Sequence, residues 1–160
     1  MKFSIIFSLV FLLSGIIVHG EGRVNSIDKS AFYKAISSTN EEVINAQLVA
    51  VKASSIAEKE AYEGALLMKK AGVIKGAAKE KLSLFKTGRA KLEAAIAKDK
   101  DNIEYRFLRL IIQENSPKIV KYKSDIEQDS QLVRSNFKNL SESLQLVITD
   151  YSKTSKALKN

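Results

Sequence analysis

Cysteine and tryptophan are absent from the 160 residues, and histidine and proline occur once each. Without cysteine there is no disulfide framework, no thiolate metal site, no cysteine nucleophile and no lipid attachment through a thiol. A single histidine excludes a two-histidine zinc motif. One proline and seven glycines are too few for a loop-rich or all-β chain. The length suits one modest domain that buries its own core without staples.

The histidine lies in an unusual place. Lys2 precedes an apolar run over 3–18, and Val18 and Gly20 occupy positions −3 and −1 before Glu21. This pattern reads as a secretory signal peptide over 1–20, cleaved between Gly20 and Glu21. The alternative is a retained signal anchor, because the run is slightly long for a signal core and slightly short for a span. Cleavage removes His19, so the exported chain, periplasmic or extracellular, has neither histidine nor cysteine. Ser-His-Asp and Cys-His arrangements are then impossible, and histidine-rich catalytic zinc is excluded. Carboxylates, Lys, Tyr and Ser remain for chemistry, and the reading is a non-enzymatic protein without metal or cofactor.

What is present is helical and basic. Lys+Arg 26 against Asp+Glu 18 gives a formal net charge of +8. After a short polar leader over 21–27, a single helical domain over 28–160 is expected. Asp28 can cap a helix to about Ser37. Thr39 and Glu42 have capping-box spacing, as do Ser55 and Glu58. The small residues Ala46, Ala50, Ala53, Ala57, Ala61 and Gly64 fall on one helical face. The stretch divides at Ser54 and Ser55 into two helices, with one continuous helix as the alternative. Gly72 suits a C-terminal glycine stop after Lys69 and Lys70. A helix over 77–98 carries an apolar stripe of Leu82, Phe85, Leu92, Ala95 and Ile96, and another spans 103–115. Ser116 and Pro117 read as a cap and first-turn proline restarting a helix. The last helix is expected over 141–158. The fold class is all-α, an antiparallel helical bundle.

Gly88, Leu92 and Ala95, followed by a polar turn at 99–102, resemble the second helix of a tetratricopeptide repeat. Tyr62, Gly64, Ala65 and Leu67 resemble a drifted first helix. The likeness covers about one repeat, over 58–110, and Lys100 stands where the family's turn usually has proline. Secreted bacterial helical proteins with a tetratricopeptide-like core have this pattern. The resemblance implies a scaffold that binds another protein or peptide and has no chemistry of its own.

Three side-chain groups stand out as candidate sites. Arg106 and Arg109, with Tyr105 beside them, can face one way as a clamp for a carboxylate or other anion. The bland reading is two arginines paired with nearby acids. A groove between the helices at 55–72 and 102–115 would hold the partner. Lys118, Lys121 and Lys123 around Tyr122 form the densest basic cluster. An anionic envelope surface, lipid or polysaccharide, is the partner this cluster suits, and nucleic acid is not the expected partner. Its bland reading is a solvated mixed-charge face. Asp125, Glu127 and Asp129 alternate like the start of a calcium loop, but Ser130 and Asn136 stand where that loop needs Gly and Glu.

Overall fold

A computed structural model describes residues 26–159; the expected signal peptide and its Gly20–Glu21 cleavage site lie outside the described residues. The described residues form an all-α bundle of seven α-helices and two single 3₁₀ turns. These are α1 (Lys29–Ser37), α2 (Glu41–Ala53), α3 (Lys59–Val73), α4 (Ala78–Lys98), α5 (Ile103–Asn115), α6 (Ile126–Asn136) and α7 (Glu142–Ser152), with 3₁₀ turns at Lys118–Val120 and Phe137–Asn139.

The α3 helix is the centre, and every residue from Ala61 to Met68 is buried. It packs against α1, α2, α4 and α5, while α5 carries α6 and α1 meets α7. A helix apolar or small on all sides belongs inside other helices. The α3–α4 pair is antiparallel: a Cβ on Gly64 would meet Leu92 and the Gly88 carbonyl, while one on Gly88 would meet Met68. The α5 helix contributes Phe107, Leu108, Leu110, Ile111 and Ile112 to the same core.

Several local expectations are met. Asp28 caps α1, its Oδ1 accepting from the Ser30 and Ala31 amides at 2.9 and 3.2 Å. Helices α2 and α3 are separate. Ser54 ends α2, and the Lys59 ammonium donates to the carbonyls of Lys52 and Ser54 at 2.6 and 3.2 Å. That lysine satisfies carbonyls the helix leaves open, and its charge suits the negative helix end.

Others are corrected. The cap of α2 is Asn40, not Thr39, and its side chain accepts from the Glu42 and Val43 amides at 2.7 and 3.3 Å. Starting one residue later keeps both Glu41 and Glu42 in the first turn, where a helix favours carboxylates. The α3 helix begins at Lys59, later than the Ser55 and Glu58 spacing suggests, and its N-cap residue Glu58 makes no side-chain cap. The small-residue row is not one buried face. Ala46, Ala53 and Ala57 are exposed, and α2 buries Ile44, Leu48 and Val51 instead. Large apolar side chains remove more surface from water, so they take the inner face. Gly72 does not stop α3; the helix continues to Val73, and buried Ile74 leads the chain out extended. Leu82 is 44% exposed and leaves the α4 stripe, which is Phe85, Gly88, Leu92 and Ile96. Pro117 precedes only a 3₁₀ turn. The last helix ends at Ser152 because the residues beyond it wrap a carboxylate of α5.

Candidate functional site

The two arginines of α5 face acids of α6. Asp125 and Asp129 are four residues apart and share the helix face turned toward α5. Arg109 holds Asp129 with two bonds, Nε to Oδ2 at 2.7 Å and Nη2 to Oδ1 at 2.8 Å. Its Nη1 donates to Glu93 Oε2 at 3.0 Å and lies 3.4 Å from Asp125 Oδ1. Arg106 Nη1 is 3.6 Å from Asp129, and its Nε and Nη2 donate to the Lys100 carbonyl. Arg109 is 4% exposed and Asp129 fully buried. Burial works against the Arg109 charge, but the Asp129 bonds and surrounding carboxylates outweigh it and hold the guanidinium above its ordinary range. Burial raises the Asp129 carboxyl, against the pull of Arg109. Asp125 lies below its ordinary value: burial opposes ionisation, and the bonds from Ser124 and Gln113 prevail. The proposed clamp is therefore occupied by the chain's own Asp129. Tyr105 is also buried, and α3 and α5 pack directly on one another.

A second carboxylate is enclosed at the other end of α5. Glu104 accepts from Tyr33 at 3.0 Å, Tyr62 at 2.7 Å and the Lys29 ammonium at 2.6 Å. Burial first, then the neighbouring Glu104 charge, pushes both phenols well above the usual tyrosine range. A cavity of about 200 Å³ beside Tyr62 is lined by Ile27, Lys29, Ile56 and Glu58. A larger open hollow of about 610 Å³ mixes Glu41, Glu42 and Glu80 with Lys70 and Lys75, and Lys70 lies 3.7 Å from Glu41. Among the described residues no group of three or more acids is placed to hold a metal.

The basic cluster is the candidate site that stays open to solvent. Residues 117–123 form a short turn after α5, with Lys118, Lys121 and Lys123 exposed. Beneath them Tyr122 is 1% exposed. Its ring meets Phe85 edge-on at 5.8 Å, Arg89 lies over it at 4.6 Å, and its hydroxyl donates to Glu93. Burial, then the Glu93 bond, raises this phenol far above the ordinary range. Lys121 adopts a left-handed backbone, φ 48°, which costs a non-glycine residue about 1–2 kcal/mol. Burial of Tyr122 on one side and of part of Val120 on the other offsets that cost. Ile119, just before Val120, points outward and is 87% exposed.

Three acids near this turn are engaged by the chain itself. Glu93 and Asp125 serve Arg109, Tyr122 and Gln113. Glu114 accepts from Tyr151 at 2.8 Å, Ser155 at 2.6 Å and the amides of Lys156 and Ala157 at 2.9 and 3.0 Å. Among the described residues no ion pair involves Lys118, Lys121 or Lys123; Lys123 donates only to the Glu114 carbonyl, at 3.3 Å.

The sequence pattern located the lysines but missed Ile119, Arg89 and the anchoring role of Tyr122. The run Pro117-Lys118-Ile119-Val120-Lys121 is too short for a helix, and that shortness is the signal that could have exposed Ile119. No protein-family model, curated protein or solved structure matches this chain.

Proposed function

We propose that this is an exported, non-enzymatic helical binding protein that docks on an anionic envelope surface through the turn at 117–123. The single observation that carries the reading is the state of the two candidate sites. Arg106 and Arg109 are engaged by the chain's own carboxylates, whereas Lys118, Lys121 and Lys123 project without acidic partners from a turn held by Tyr122. The signal-like pattern at 1–20 supports export, and the absence of cysteine and of histidine beyond His19 supports a role without catalysis.

Retention of the full chain on an immobilised soluble polyanion tests this. Exposed charges are screened over about 8 Å at physiological ionic strength, so retention should fall sharply with modest salt. Replacing Lys118, Lys121 and Lys123 together by Gln should abolish it. Retention that survives the triple replacement would refute the docking role of the turn.

A protein-binding scaffold is the second reading. The close α3–α4 crossing at Gly64 and Gly88 supports it, because a rigid tetratricopeptide-like hairpin needs small residues there. It is favoured if envelope extract yields one stoichiometric protein partner whose capture resists moderate salt.

A further inference from the structure

We infer that the turn at 117–123 is a membrane-docking element: Ile119 enters the acyl boundary of an anionic bilayer while Lys118, Lys121 and Lys123 sit at the headgroup phosphates. This rests on the reading of the turn as the docking surface and adds which anionic surface it takes.

The argument starts from the two kinds of exposure at one tip. A lysine cluster whose members form no ion pair with the chain's own acids suits a polyanion. An aliphatic side chain that is 87% exposed gains nothing from a hydrated polysaccharide or phosphate chain, and gains where an apolar phase lies beneath the charge. Interfacial protein segments combine these two features, cations at the headgroups and an apolar group just below them. The backbone divides the turn accordingly. Val120 and Tyr122 face the body of the protein, while Ile119 and Lys121 face away. The turn is fixed before contact, because Tyr122 is wedged between Phe85, Arg89 and Glu93. Arg89 is itself exposed and adds cationic charge at the base of the turn. Single-stranded nucleic acid is a poorer match, since it is held by aromatic rings open for stacking, and the aromatic ring here is buried.

The chain contains no tryptophan, so Ile119→Trp in the full protein creates a unique reporter at the tip. Its emission should shift to the blue on mixing with phosphatidylglycerol vesicles and be quenched by brominated acyl chains. Phosphatidylcholine vesicles should do neither. Each basic residue near an anionic leaflet contributes about 1 kcal/mol, or roughly fivefold. Replacing the three lysines by Gln in the reporter background should therefore weaken partitioning on the order of 100-fold. Ile119→Ser should weaken vesicle binding of the otherwise unaltered chain about tenfold and leave retention on the soluble polyanion unchanged. All four side chains are exposed, and far-UV circular dichroism checks that each variant keeps its helices.

Unchanged reporter emission with anionic vesicles overturns the inference. If lysine-dependent polyanion retention persists in that case, the docking reading stands and only the lipid assignment falls. If the lysine replacements alter neither retention nor vesicle binding, both fall.

Discussion

Arg109 shows what a single residue contributes here. Its guanidinium satisfies a fully buried carboxylate with two bonds and reaches two more acids. Removing one partner of such a pair leaves an uncompensated buried charge, which costs about 3–5 kcal/mol. Arg109→Met should therefore lower the unfolding free energy by about that amount in urea denaturation, and Asp129→Asn by a smaller but clear margin. A loss below about 1 kcal/mol for Arg109→Met would mean the arginine is free for a ligand after all. The sequence displayed half of this arrangement. The spacing of Arg106 and Arg109 placed both on one face, and that of Asp125 and Asp129 did the same for α6. The pairing of the two faces depends on how the chain between Asn115 and Ile126 folds back, and no local periodicity encodes that. Ile119 was hidden for the same reason: an isoleucine in an apolar-looking dipeptide counts as core until the turn is seen to split it from Val120.

At the scale of elements, three glycines separate packing from propensity. Gly64 and Gly88 sit at the crossing of α3 and α4. A Cβ on Gly64 would stand 2.7 Å from the Gly88 carbonyl oxygen, and one on Gly88 would stand 2.5 Å from that of Gly64. These neighbours are helix backbone, so the helices themselves would have to part. Gly72 lies within α3 with nothing within 4 Å of an added Cβ. Alanine gains about 1 kcal/mol over glycine within a helix. Gly72→Ala should accordingly raise the melting temperature, whereas Gly64→Ala and Gly88→Ala should each destabilise by about 1–3 kcal/mol. Thermal unfolding followed by circular dichroism reads the opposite signs directly. Element existence was largely legible. The α5 boundaries follow from the apolar period and the polar turn at 99–102, and the break near Ser54 follows from paired serines. The ends were less so. Gly72 looked like a stop because lysines precede it, but burial of Ile74 decides where the helix gives way. The α7 end is likewise set from a distance, by Glu114 drawing in the amides of Lys156 and Ala157.

The whole molecule has a pH response written by its tyrosines. All five are raised above their ordinary value, with burial the largest cause in each. In the unfolded chain they ionise near pH 10. A raised folded-state value means that the native state keeps protons the unfolded state has lost. Its stabilising share is complete below about pH 10 and is lost as pH rises beyond it. Alkaline titration should show tyrosinate absorbance appearing together with loss of helical signal, in one cooperative step. Noncooperative ionisation with the helices intact would contradict the burial of these phenols. Residues 26–159 contain no histidine, so urea midpoints measured across pH 6–8 should be nearly constant. The composition alone foretold this second result. The first required the structure, because a tyrosine count does not reveal that Glu93, Glu104 and Glu114 each receive a phenol.

The glycine crossing also bears on the order in which the chain assembles. It joins neighbouring helices through one short connector, so little loop entropy is lost when it forms. The bonds that seat α1 close much longer loops, spanning 71 residues from Tyr33 to Glu104 and 75 from Lys29. Local contacts set the early barrier in helical proteins. The α3–α4 hairpin is therefore expected to form early and α1 to dock late. Gly88→Ala should slow refolding, whereas Tyr33→Phe should mainly speed unfolding. A chain still being synthesised would then possess a preformed hairpin while α1 waits for α5 to arrive.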